Sequence, residues 1–192
     1  MSETGGPAGR IFVVTGAPSS GKTSTGRALA EALPKAVFID GPTLEQFVVT
    51  GQAQMEEPPS VEQIEQVLLR YAAALTLADV YRTGGFDVVI ADDLIDERLE
   101  DFLELADPEP IHLVVLHPSA ETLAERGDRL DIGTATGLHN LIEHHTPRIG
   151  LWIDNSVTTV PMTVLTILRG LDDALIEPAD DSRENADTDA AD

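Results

Sequence analysis

Lysine is scarce in this chain, occurring only at Lys22 and Lys35. Lys22 lies in "GAPSSGKT", Gly16–Thr23, which fits G-x-x-x-x-G-K-[ST] in full. Residue types at this spacing suit an anion. Glycines at both ends allow a close approach of the main chain, so successive backbone N–H groups can curl around phosphate oxygens. The Lys22 ammonium would lean on the β and γ phosphates, and the Thr23 hydroxyl would ligate Mg²⁺. A Gly/Ser turn matches by chance in about 1% of chains this long. The apolar run "IFVVTG" before it and the helical pattern of 21–33 after it lower that further. Gly16, Ala17, Pro18, Ser19, Ser20, Gly21, Lys22, Thr23 and Ser24 are therefore the expected nucleotide-binding run, with Lys22 a solvated loop lysine.

Three further positions carry suitable chemistry. Asp92 and Asp93 end the apolar run "VVIADDL". A carboxylate there can hold Mg²⁺ directly or through water, and Asp92 is slightly favoured over Asp93. The plainer reading is a pair of acids capping the next helix. Asp40 ends "VFID" and could accept the proton of an attacking hydroxyl, or serve only as a turn acid before Gly41-Pro42. Arg126 and Arg129 are two of ten arginines in a very acidic chain. Closing over a nucleotide, they could neutralise charge on a transferring phosphoryl group; otherwise they pair with Glu125, Asp128 or Asp131 at the surface. The histidines of "HNLIEHH" do not share one helical face at i, i+4 spacing, so a zinc pair is not expected. His112 and His117 flank a buried run, and Trp152 reads as core.

Something must bring these groups together. Five apolar runs bounded by turn signals read as buried parallel strands: 11–16, 36–40, 86–93, 111–118 and 148–154. Helical patterns fall at 21–33, about 60–83, 94–106, 119–127, 134–145 and 160–172. Ser60 and Gln63 resemble a capping box opening the longest of them. Alternation of this kind predicts an α/β domain with a parallel sheet covered on both faces. Ligands of such sheets bind beyond the carboxyl ends of the strands, where the groups above would gather. The expected organisation is a flexible N-terminus (1–10), one domain (11–173) and an acidic disordered tail (174–192).

Bulk composition narrows the partners. The net charge of −22 repels polyanions, so nucleic acid is not expected as a partner. No cysteine is present, which removes disulfides and thiolate chemistry. No run is long enough for a membrane span, and the N-terminus lacks a secretion-signal pattern, so a cytoplasmic protein is expected. A homo-oligomer is left open.

Together, "GAPSSGKT", Asp40, "VVIADD", "RGDRLDIGTA" (126–135), His144 and "IDNS" (153–156) resemble the chloramphenicol phosphotransferase-like branch of the small P-loop kinases. The resemblance covers residues 11 to about 156. It implies a P-loop NTPase three-layer sandwich whose five-stranded parallel sheet has the order 2-3-1-4-5, with a short arginine-bearing lid. It also implies ATP- and Mg²⁺-dependent transfer of the γ-phosphoryl group to a hydroxyl of a small molecule. Asp40 falls where that branch has its proposed base. Arg126 and Arg129 fall on its lid arginines, and the loop holding Asp154 and Ser156 lies near the adenine. The branch's Tyr-Asp pair before the last strand is Ile149-Gly150 here, and the segment 41–59 has no recognised counterpart, so chloramphenicol as acceptor is not supported. Two other readings stay open: a nucleoside or nucleotide kinase, and a nucleotide-binding regulatory ATPase without a small-molecule acceptor. A guanine switch is not expected, because "PKAV" around Lys35 cannot form its base-reading motif.

Overall fold

Val13 and Val14 are both fully buried, yet they belong to opposite sides of one sheet. A strand buried on both faces reads as an unbroken apolar run, which is why the sequence signal here is continuous rather than alternating. The computed structural model describes residues 7–54, 56, 58–127 and 130–178. Its strands are β1 Ile11–Gly16, β2 Ala36–Asp40, β3 Asp87–Ala91, β4 Ile111–Leu116, β5 Leu151–Ile153 and β6 Leu175–Ile176. Its helices are α1 Lys22–Ala32, α2 Gly41–Glu45, α3 Val61–Thr83, α4 Glu97–Ala106, α5 Ala120–Arg126, α6 Ile132–His145, α7 Val160–Arg169 and α8 Leu171–Ala174.

Strands run in the order β2-β3-β1-β4-β5, the order the resemblance implies, and all are parallel, as the apolar runs predict. One side chain set, including Val13, Ile90, Leu113 and Val115, packs with Tyr71, Leu99, Phe102 and Ile142 from α3, α4 and α6. The other, including Phe12, Val14, Val89 and Leu116, packs with Leu29 of α1 and Val164 and Ile167 of α7. Three layers result, each fully buried large side chain contributing roughly 1.5–3 kcal/mol.

Register decides what the sheet presents. Asp40 lies level with Ala91, and Ala91 is one residue beyond the Val13 partner Ile90, beside Val14. The carboxyl ends of β2, β3 and β1 therefore finish almost flush. Thr15 locks this edge: its buried hydroxyl donates to the Leu94 carbonyl (2.8 Å) and accepts from the Leu94 amide (2.9 Å).

Three elements differ from expectation. Gly41–Glu45 forms a short helix where Gly-Pro suggested only a turn; Pro42 is tolerated because the first helical turn leaves its amide unpaired anyway. The 160–172 pattern breaks at Gly170 into α7 and α8. The fold also continues past residue 173, the expected end of the domain: β6 pairs antiparallel with β4, Ile111 opposite Ile176. Since β5 matches only residues 114–116 of β4, the amino-terminal half of that strand is left with an open edge for β6 to cover. Residues 179–192 lie outside the described residues. Among the described residues, no helix is long and apolar enough to cross a membrane.

Candidate functional site

The loop between β1 and α1 is shaped by three positive φ values, at Gly16 (145°), Ser19 (68°) and Gly21 (96°). A Cβ on Gly16 would collide with the Leu116 carbonyl of β4, so glycine is required there by space as well as by backbone angle. Gly21 caps α1 without any side-chain hydrogen bond, and no acid occurs in the helix's first turn. The first N–H groups of α1 thus keep their positive end free for an anion.

Lys22 corrects the sequence expectation of a solvated lysine. It is only 8% exposed. Its Nζ donates to the Ala17 carbonyl (2.7 Å) and pairs with Asp93 Oδ1 (2.6 Å). A buried ammonium needs a partner, and the carboxylate just past β3 supplies it. Thr23 Oγ1 donates to Asp40 Oδ1 (2.9 Å), whose other oxygen accepts from Thr43 Oγ1 of α2 (2.7 Å). The structure thus brings Lys22, Thr23, Asp40 and Asp93 together at the ends of three neighbouring strands.

Asp92 points elsewhere. It is 1% exposed, its Oδ1 accepts from the Asp93 amide (2.7 Å), and it pairs with Arg70 Nη2 (3.0 Å). Burial pushes its carboxyl above the ordinary 3.8, against the pull of the Arg70 charge. Arg70 reaches on to Glu45 of α2 (3.1 Å). Of the two expected metal carboxylates, Asp92 is paired with the Arg70 guanidinium while Asp93 faces the loop.

Arg126, at the end of α5, is drawn to the loop rather than to surface acids. Its guanidinium donates to the carbonyls of Ser20 (3.4 Å), Asn155 (2.8 Å) and Ser156 (3.3 Å). Asn155 Nδ2 also donates to the Ser20 carbonyl (2.8 Å), so one loop oxygen is braced from two sides. Asp154 accepts from Ser156 Oγ (2.5 Å) and from the Ser156 amide (2.9 Å). These hydrogen bonds hold the Asp154 carboxyl below its usual range. Arg129 lies outside the described residues.

His117 and His139 stack with centroids 4.2 Å apart, and Trp152 meets His117 edge-on. Burial moves the His117 imidazole below its ordinary value. Among the described residues no group of three or more His, Asp or Glu side chains is arranged to hold a metal. Mg²⁺ does not require one, since it is bound by one or two carboxylates, a hydroxyl, waters and the phosphates of its nucleotide. Thr23, Asp40 and Asp93 fit that donor set.

Sequence reasoning overlooked Arg70, Asn155 and Thr43. Arg70 had one available signal, being one of only two basic residues between 41 and 83. Asn155 belongs to "IDNS" (153–156) but, at 5% exposure, acts through a main-chain carbonyl that no spacing rule reveals.

No curated protein sequence matches the chain. Solved structures do resemble it. The Deinococcus radiodurans tunicamycin resistance protein aligns with TM-score 0.66 at 15% identity, over 88% of this chain and 99% of that one. The Mycobacterium tuberculosis APS kinase CysC, in complex with AMPPNP and APS, gives 0.63 at 16%, over 87% and 99%. A gluconokinase from Sinorhizobium meliloti 1021 gives 0.59 at 21%, over 86% and 93%. At these identities the likeness is one of fold, the P-loop NTPase arrangement with its 2-3-1-4-5 sheet. Sequence similarity goes further for residues 11–129, which match the AAA_33 family, described as an AAA domain. That stretch holds the phosphate loop, Asp40 and the two carboxylates after β3, and the chain belongs to this family.

Proposed function

We propose that the protein is an ATP- and Mg²⁺-dependent phosphotransferase that moves the γ-phosphoryl group to a hydroxyl of a small molecule. The observation carrying this reading is the meeting of Lys22, Thr23, Asp40 and Asp93 at one sheet edge, at the start of a helix whose own first turn holds no acid. The named neighbours support it: two are kinases of small molecules, and one was solved with AMPPNP and APS.

The loop amides from Gly16 to Ser24 would grip the phosphates, with Lys22 exchanging Asp93 for phosphate oxygen as the nucleotide enters. Thr23, with Asp40 or Asp93 through water, would hold Mg²⁺, which when bound supplies charge neutralisation across the β and γ phosphates. Asp40 would accept the hydroxyl proton as the acceptor oxygen bonds to the γ-phosphorus. The bridging P–O bond breaks and its electron pair leaves on ADP. Arg126, with Arg129, would offset charge on the group in flight. Asp154 and Ser156 belong to the adenine side. Positioning and charge carry most of this chemistry, since phosphoryl transfer leaves little covalent work for the protein.

The test is incubation with γ-labelled ATP and a panel of hydroxyl compounds, reading products by mass. A labelled acceptor, lost in Asp40→Asn, supports the assignment. ATP turnover that labels no acceptor supports a regulatory ATPase instead.

A further inference from the structure

Beside the site, α3, α4 and α6 enclose a cleft of about 560 Å³. Its apolar wall is made by Ile64, Val67, Leu68, Leu138 and Leu141. Its position relative to the chemistry follows from two short links. Val67 lies one helical turn before Arg70, on the same face of α3, and Arg70 sits on Asp92 at the end of β3. Ile95 and Asp96, also in the lining, follow Asp93 by two and three residues. The cleft therefore lies toward the end of the sheet where Asp92 and Asp93 follow β3.

Its charge is one-sided. Among the described residues that line it, Asp96, Glu97 and Asp101 stand against one cation, Arg98. Asp96 is held in place: its φ is 62°, a region few non-glycine residues adopt, and its amide donates to Thr146 Oγ1 beyond α6 (3.0 Å). An anionic ligand entering this cleft meets three carboxylates as well as the field of a chain whose net charge is −22. An amine meets the opposite. Apolar side chains that cover a cleft of this size bind a molecule by its hydrocarbon body, with few polar groups fixing its orientation.

We propose that this cleft takes the acceptor, and that the acceptor is an amino alcohol with an apolar body: hydrocarbon against α3 and α6, ammonium toward Asp96 and Asp101, hydroxyl toward Asp40. The cleft's preference for an amine stands on its own geometry; its role as acceptor site rests on the phosphotransferase reading.

Three compounds sharing a phenyl ring and a hydroxyl test it: 2-amino-1-phenylethanol, 1-phenylethane-1,2-diol and mandelate. Calorimetry on the full chain at low salt should give at least fivefold tighter binding of the amine than of mandelate, with the diol between. The double variant Asp96→Asn/Asp101→Asn should bring amine and acid within twofold, whereas Ile64→Ser, at an exposed position, should weaken all three alike. Mandelate binding as tightly as the amine, or no saturable binding of any of the three, overturns the proposal. Should the double variant fold poorly, the wild-type order still decides. Labelled ATP separates the two claims. An amine that binds but is never phosphorylated supports the cleft and counts against the phosphotransferase reading. Preferred labelling of anionic acceptors sinks the cleft proposal and leaves that reading intact.

Discussion

Asp40 is clamped by two hydroxyls, Thr23 at 2.9 Å and Thr43 at 2.7 Å, which fix its carboxylate beside the phosphate loop. Asp40→Asn keeps the shape and removes the proton acceptor, so turnover should fall roughly 10²–10⁴-fold with little change in melting temperature. Full activity in that variant rules out Asp40 as base. Asp92 and Asp93 adjoin in sequence yet should respond in opposite ways. Asp93→Asn frees Lys22 and should act mainly on nucleotide handling. Asp92→Asn takes from the Arg70 guanidinium its buried carboxylate partner, leaving the half-exposed Glu45, and should cost about 2–3 kcal/mol in stability. Denaturant unfolding beside steady-state kinetics separates the pair. Nothing in the dipeptide itself distinguishes these roles, because they are set by Arg70, twenty-two residues upstream on another element. The solvated Lys22 of the sequence reading failed for the same reason: burial of an ammonium depends on a partner, and Asp93 arrives only through the fold.

At the scale of elements, the strands were legible because a sheet covered on both faces demands uninterrupted apolar runs, and β1 and β4 supply them. The helix α2 was not, since Gly41-Pro42 satisfies turn chemistry and helix-start chemistry equally well. Strand β6 was hidden because two residues at the head of an acidic run carry no periodicity. The phosphate loop depends on its seat against β4: Gly16→Ala places a methyl group on the Leu116 carbonyl at a φ of 145°. That change should cost about 1–3 kcal/mol and weaken nucleotide binding together, read by thermal melts and titration. At the opposite end of the sheet, Arg10 ties the starts of β1 and β3 through Asp87 (2.7 Å). Burial alone would raise the Asp87 carboxyl, but the hydrogen bonds and charge of Arg10 take it below its ordinary 3.8. Stability from a carboxyl lowered in this way is present above the unfolded value and lost as pH falls through the folded one. The stability gap between wild type and Asp87→Asn should therefore hold at neutral pH and close below about pH 4, as urea titrations across that range will show.

For the whole molecule, the net charge of −22 and the phosphate grip proposed for the loop are compatible because they act over different distances. The field of many carboxylates steers polyanions away at long range, while a few donors in contact dominate a bound phosphate. Where the chain can be cut follows from packing. Truncation after Pro178 leaves β6 on β4 and should preserve catalysis and melting temperature. Truncation after Gly170 removes fully buried Ala174 and uncovers the start of β4, and should lower the melting temperature by several degrees. The account rests on the loop from Gly16 to Thr23 gripping a nucleotide's phosphates, and equilibrium titration of the full chain with Mg²⁺-ATP tests that most directly. Saturable binding in the wild type, weakened at least tenfold in a folded Lys22→Ala variant, is the predicted result. Absence of saturable binding, or binding indifferent to the loss of Lys22, contradicts it.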